Sequence, residues 1–311
     1  MCGLFGAIGY GWNGGTVRAL AIMNRERGTD SLGFFDSSGK MIKCASDPAE
    51  ALRKVNISKW LDASEYGCEK TARNRAWFVA GHTRLATRGK VNRQNSHPFR
   101  FGEYIGSHNG MVDAPKDYAV DSMYLIDLLA KSKGDYQAAL GDVSGYWGLT
   151  WYDGKSFYIQ VHNGDLTIAQ VGTVWYYSSN VKHLETAIGP VTTKTTLSEG
   201  QTIKFTPNGT TVMMEVLTPI KVNSTYSRYG SYDGDWEDWR DYGNYKGGRR
   251  HGKGAKGWSA GNGGVSYYNT KGTTGTSGTT GTSGTSNVRD YDEEWRSAWE
   301  AYCTDSEHAS T

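Results

Sequence analysis

Residues 1–10 read MCGLFGAIGY. Positions 4 to 9 are small and apolar, and the run is too short for most helices, so it reads as a buried strand. The unusual feature is Cys2, directly behind the initiator methionine and followed by Gly3 and Gly6. Taken alone, the stretch is a strand with an incidental thiol. The remainder of the chain decides whether position two carries chemistry.

The chain has 311 residues, room for one large domain or two small ones. A formal charge of +2 gives no global attraction to nucleic acid or anionic membrane. Hydrophobic residues make up only 37%, while glycine is used 41 times, a mixture that predicts a folded part and an unfolded part. The cysteines stand at 2, 44, 68 and 303, without C-x-x-C or zinc-finger spacing. They read as reduced thiols in a cytoplasmic protein. No basic n-region opens the chain, and no run approaches the roughly 18 apolar residues of a membrane span.

The composition breaks near residue 221. After Ile220 there is no Leu, Ile, Met or Phe. Such a segment lacks the aliphatic surface to offset its ordering entropy, so the folded domain is expected over 2–220 and a largely disordered tail over 221–286. The tail holds the basic run KGGRRHGKGAK and the spacer GTTGTSGTTGTSGTS (272–286). Such a spacer on so reduced a chain would suit a phage-encoded enzyme. Residues 287–304 read as an amphipathic docking helix, with Tyr291, Trp295, Trp299 and Tyr302 on one face and acidic residues in the first turns. An accidental aromatic cluster is the alternative.

Within 2–220 the pattern is strand-rich. SLGFFDSSGKMIKCA, WGLTWYDGKSFYIQV, TIAQVGTVWYYSS and GQTIKFTPNGTTVMMEV read as hairpins, the last with an Asn208-Gly209 turn. AWFVAGHTRL and EYIGSHNGMV read as buried strands. DSMYLIDLLAKSKGD and VKHLETAIG have helical spacing. Antiparallel strands with a few helices predict an α+β layered domain.

Four stretches join the opening one: RGTDSLGFF (27–35), GHTRLATRG (81–89), SHNGMV (107–112) and AVDSMYLI (119–126). Each alone has a plain structural reading, as a turn, a salt-bridge partner or a helix N-cap. In this order they resemble the class II glutamine amidotransferases, the N-terminal-nucleophile (Ntn) glutaminase domains of glucosamine-6-phosphate synthase and amidophosphoribosyltransferase. Asn95, His97 and Pro98 echo a further family stretch. The likeness spans about residues 2–215 and implies a four-layer αββα Ntn-hydrolase sandwich.

The resemblance also implies a chemistry. Removal of Met1 leaves Cys2 as the first residue, so its thiol neighbours an α-amine of reference pKa about 7.7–8.0. That amine can act as the general base for the thiol, which attacks the side-chain amide of L-glutamine through a thioester. Asn109 and the Gly110 N–H would form the oxyanion hole. Arg84 would grip the substrate carboxylate with its planar fork, Asp121 the ammonium, and Thr87 would add a hydroxyl. Arg27, Gly28 and Asp30 would shape the wall beside Cys2. His82, His97 and His108 read as structural hydrogen bonders rather than bases. No metal site and no cofactor is expected; the G-K-G-A-K-G run at 252–257 lacks a preceding strand and a following helix.

Two positions depart from the family pattern. Leu85 stands where relatives often carry an aromatic that closes the site and gates ammonia. Arg88 stands where the sugar-phosphate synthase has His. The residues after 220 resemble no acceptor domain, so a separate amidating partner is expected to consume the ammonia. Two alternatives stay open: hydrolysis of another small amide, and an interaction role for the tail on nucleic acid. The tail's ten Lys/Arg against twelve Asp/Glu over 222–311 weigh against the latter.

Overall fold

The computed structural model of the chain describes residues 2–66, 75–189, 191 and 193–223. In chain order the strands are β1 (Gly3–Ile8), β2 (Ser31–Asp36), β3 (Met41–Cys44), β4 (Phe78–Arg84), β5 (Phe99–Phe101), β6 (Tyr104–Val112), β7 (Gly145–Tyr152), β8 (Phe157–His162), β9 (Thr167–Val171), β10 (Val174–Ser178), β11 (Lys194–Thr196), β12 (Thr202–Asn208) and β13 (Thr211–Val216). The helices are α1 (Gly14–Met23), α2 (Pro48–Leu52), α3 (Val55–Tyr66), α4 (Asp121–Ser132), α5 (Tyr136–Leu140) and α6 (Val181–Ile188).

The opening stretch becomes β1, the middle strand of a seven-stranded sheet ordered β11-β9-β10-β1-β4-β2-β3. A second sheet runs β13-β12-β8-β7-β6-β5. The pairings in both are antiparallel. A strand's side chains alternate between its two faces, and β1 uses both. Leu4 and Ile8 join Phe78, Phe157, Ile159 and Phe205 in a core between the sheets. Phe5 and Ala7 point the other way, into a second core with Val17 and Leu20 of α1, Leu61 of α3 and Leu184 of α6. On the outer face of the other sheet, Leu125, Ile126 and Leu129 of α4 pack on Trp147, Leu149 and Trp151 of β7. The order helix, sheet, sheet, helix is the expected αββα sandwich.

The hairpins fall where the turn residues place them. Gly39, Gly154, Gly172 and Gly209 all take positive φ at the expected reversals. The helix over 121–132 ends one residue early, at Lys133 in the left-handed conformation, with Gly134 after it. Helices α1, α2, α3 and α5 are not announced by the sequence pattern. For α1 the cause is its start: Gly14 and Gly15 are poor helix formers, and the start is held by an Asn13 cap accepting from the Thr16 N–H at 2.8 Å.

Among the described residues no helix is long and apolar enough to cross a membrane. The basic run, the Ser/Thr/Gly spacer and the aromatic segment 287–304 lie outside the described residues, as do Met1, Cys68 and Cys303.

Candidate active site

Cys2 sits at the head of the central strand, and the strand is pinned right behind it. Leu4 N–H donates to Ser179 Oγ at 3.0 Å, and Ser179 N–H donates to the Leu4 carbonyl at 2.8 Å. The Cys2 carbonyl accepts from Arg27 Nε at 2.9 Å. Gly3 faces Thr83 in the register of β1 and β4. A Cβ at Gly3 would lie 2.6 Å from Asn24 Oδ1 and 2.7 Å from Thr83 Oγ1, so glycine here serves close packing.

Arg84, the last residue of β4, is buried. The chain then turns into a loop past Cys2, whose thiol donates to the Leu85 carbonyl at 3.6 Å. Asp30 shapes this turn: its N–H donates to the Arg84 carbonyl at 2.9 Å, and its Oδ2 accepts from the Ala86 N–H at 2.7 Å. Gly28 lets the two segments touch, since a Cβ there would fall 2.3 Å from the Arg84 carbonyl carbon. Thr87 and Leu85 stand exposed on the loop.

The charges around the thiol are shared. Burial pushes the Cys2 thiol up from its ordinary pKa; the Leu85 main chain and the Arg84 guanidinium pull it back, and Asp121 pushes it up. Burial lowers Arg84 in turn, against the opposing pull of Cys2, Asp30 and Asp121. Cys2, Arg84 and Asp121 therefore occupy one electrostatic neighbourhood. Asp121 opens α4, its Oδ1 accepting from Ser122 N–H at 2.9 Å and its Oδ2 from Val112 N–H at 3.3 Å.

Asn109 and Gly110 come from β6 in the other sheet, opposite Gly148 and Trp147 of β7. The two sheets are tied at this level: His82 Nε2, on β4, lies 3.0 Å from the His108 carbonyl. His82 pairs in register with Leu4, two residues from Cys2. That tie brings the His108-Asn109-Gly110 run to the Cys2 end of β1.

The three histidines form one buried network. His97 Nε2 and His108 Nδ1 both reach Ser122 Oγ, at 2.7 and 3.0 Å. The rings of His82 and His97 lie 3.7 Å apart. Burial lowers all three pKa values, His82 to about 3 and His97 well below its ordinary value. They are neutral at pH 7 and act as hydrogen-bonding scaffold, as expected. Ser122 carries this scaffold, while Ser179 and Asn24 brace β1 and β4 behind Cys2 through Leu4 and Thr83, and nothing in the sequence singles the three out. Their only sequence signal is small polar residues at strand and helix ends, where caps are the ordinary explanation.

Among the described residues no cluster of His, Cys, Asp and Glu could hold a metal ion. The chain matches no protein-family model. Two solved structures share the fold at 16% identity each. One is the glutamine phosphoribosylpyrophosphate amidotransferase of B. subtilis (TM-score 0.53, 69% of this chain and 49% of that one). The other is described as the allosteric regulatory enzyme of purine biosynthesis (TM-score 0.55, 71% and 50%). The fold they share is the four-layer sandwich of two antiparallel sheets between helices, and in this chain Cys2 heads its central strand.

By sequence the chain is 28% identical over 179 residues to glutamine–fructose-6-phosphate aminotransferase (isomerizing) from two strains of Staphylococcus epidermidis. The match covers 54% of this chain and 26% of the relative, so the chain spans about a quarter of the curated relatives it matches. The chain is thus similar in fold to an amidotransferase and in sequence to part of an aminotransferase, both glutamine-dependent by name.

Proposed function

We propose that the domain hydrolyses the side-chain amide of L-glutamine through Cys2 and passes the ammonia to a separate amidating enzyme. The observation that carries this reading is Cys2 at the head of β1, its thiol 3.6 Å from the carbonyl of Leu85, which follows the buried Arg84; Asp121, which opens α4, adds a carboxylate. Free glutamine presents an amide, an α-carboxylate and an α-ammonium, one partner for each.

The residues have capacity to spare. Arg84 gives one N–H to the Arg88 carbonyl (2.5 Å) and one to the Lys90 carbonyl (3.3 Å). Among the described residues these bonds use two of its five donors, and its planar fork can turn others toward a carboxylate. Asp121 accepts two main-chain N–H groups and retains acceptor capacity for an ammonium.

Because burial pushes the thiol up, Cys2 needs a base. Once Met1 is removed, its own α-amine is the nearest candidate, and the neutral, hydrogen-bonded histidines are not needed. Attack on the amide carbon forms a tetrahedral oxyanion received by the Asn109 side chain and Gly110 N–H. Ammonia leaves with the proton taken from the thiol, and water hydrolyses the γ-glutamyl thioester to glutamate.

The test is glutamate release and covalent labelling by 6-diazo-5-oxo-norleucine, a glutamine analogue. Wild type should release glutamate and take one label on Cys2, with Met1 absent from the mass spectrum of active protein. The Cys2→Ala variant should do neither. A wild type that stays unlabelled and inactive ends this reading; activity with Met1 retained ends the α-amine mechanism.

A further inference from the structure

We infer that Arg88 is a positioning residue that clasps the loop after Arg84 to the loop leading into Asp121, so that the two grips for the ends of the substrate are held at a set spacing. The inference rests on the glutamine reading above and extends it to a residue outside the proposed substrate contacts.

The Arg88 guanidinium is spent on main-chain carbonyls of one short loop. Nη1 donates to Ala114 O at 3.3 Å, and Nη2 to Pro115 O at 3.2 Å and Tyr118 O at 3.0 Å. Its neighbour Gly89, at φ +78°, abuts the same loop. A Cβ there would lie 2.9 Å from the Ala119 carbonyl oxygen. From below, Arg84 holds the Arg88 and Lys90 carbonyls. Residues 85–90 are thus fastened on one side to a substrate grip and on the other to residues 114–119.

The far loop has a firm base. The Tyr118 hydroxyl donates to Asp127 of α4, and the Tyr118 and Tyr124 rings lie 5.4 Å apart. Asp121 is the first residue of that helix. Arg84, the 85–90 segment, Arg88, the 114–119 loop and Asp121 form one connected chain of contacts.

A guanidinium suits this work because its rigid planar fork directs several donors at once. A neutral imidazole has one N–H and could not bridge three carbonyls. Without the clasp, the loop must be ordered each time substrate binds, and that cost falls on binding rather than on the chemical step.

The experiment compares wild type, Arg88→Ala and Arg88→Lys. In Arg88→Ala the KM for glutamine should rise about tenfold while kcat stays within about threefold. Arg88→Lys should fall between, as a single point of positive charge on a flexible stem. Alkylation of Cys2 by iodoacetamide, which carries neither α-group, should stay within about twofold of wild type. An unchanged KM in Arg88→Ala overturns the inference, and so does a parallel loss of alkylation rate, which marks a merely structural role.

Hydrogen exchange separates this result from the fate of the glutamine reading. Amides 113–119 should exchange faster in Arg88→Ala whether or not glutamine is the substrate; unchanged exchange overturns the clasp. A wild type that neither hydrolyses glutamine nor takes the label, with faster exchange in the variant, ends the glutamine reading and leaves the clasp standing.

Discussion

Two His-Asn-Gly tripeptides flank the same strand. Gly110 pairs with Trp147 of β7, and so does His162 from the other side. In the first tripeptide, His108 to Gly110, the strand continues through Met111 and Val112. In the second, His162 to Gly164, the strand ends at His162 and Asn163 turns into the left-handed region at φ +47°. The partners differ as well. His108 Nδ1 meets the Ser122 hydroxyl inside the core. His162 Nδ1 meets the Glu199 carboxylate, which also accepts from the Asn163 N–H at 2.6 Å. A tripeptide therefore means little by itself. The ladder after it and the partner of its histidine separate a site from a turn.

The buried histidine cluster to which the first tripeptide belongs predicts the largest effect. His82, His97 and His108 are buried with depressed pKa values, His82 at about 3. Below the unfolded value near 6.5 the unfolded chain binds a proton that the folded chain refuses. The stability these groups contribute is present above pH 6.5 and lost as pH falls toward the folded values. Each proton taken up on unfolding costs about 1.4 kcal/mol per pH unit. Urea unfolding at pH 7, 6 and 5 should show a slope between one and three protons below pH 6.5. Replacing His97 by Gln should reduce that slope by about one proton. A slope unchanged by that substitution would mean the network is not where the protons go.

The next largest effect separates the two asparagines. Asn109→Ala removes a donor from the proposed oxyanion hole and should lower kcat by about 10²–10³, or roughly 2.7–4 kcal/mol. Asn163→Ala should leave kcat within about twofold, because its tripeptide is a turn. The measurement is steady-state glutamate release at saturating glutamine. Equal losses in the two variants would erase the distinction between the tripeptides.

Particular residues explain how far this was legible in the chain. The αββα order followed only from the resemblance carried by the five co-linear motifs, while the α+β layering was readable because the hairpin turns are strong local signals. The helices α1 to α3 were not, because their formation depends on tertiary cover: Leu20 and Leu61 are wholly buried under the sheet, while Gly14 and Gly15 speak locally against a helix. At the site, Cys2, Arg84 and Asp121 were singled out by resemblance alone, and their roles stand as a proposal. Ser122 was not, because a serine after an aspartate at a helix start reads as capping. Its role as a bridge between two histidines exists only once β6 and the 97–98 segment meet α4. The contacts of Arg88 were equally invisible, since carbonyl partners leave no trace in side-chain identity.

Smaller effects test the second tripeptide as a turn. Glu199→Ala removes the acceptor for both His162 Nδ1 and the Asn163 N–H. An orphaned buried donor costs about 1–3 kcal/mol. Here the Glu199 side chain is 56% exposed while His162 is 8% exposed, so water can replace part of the carboxylate. The expected loss is therefore at the lower end, about 1 kcal/mol in urea unfolding, with kcat for glutamine unchanged. Asn163→Gly should do less still. At φ +47° asparagine already tolerates the conformation better than most residues, and glycine adopts it without steric cost. The gain in backbone freedom of the unfolded chain and the loss of the Asn163 Nδ2–His162 Nε2 contact at 3.3 Å offset that relief, so the net loss should stay below about 1 kcal/mol. A loss of more than about 1 kcal/mol in Asn163→Gly would show that the Asn163 side chain has a structural role beyond its turn.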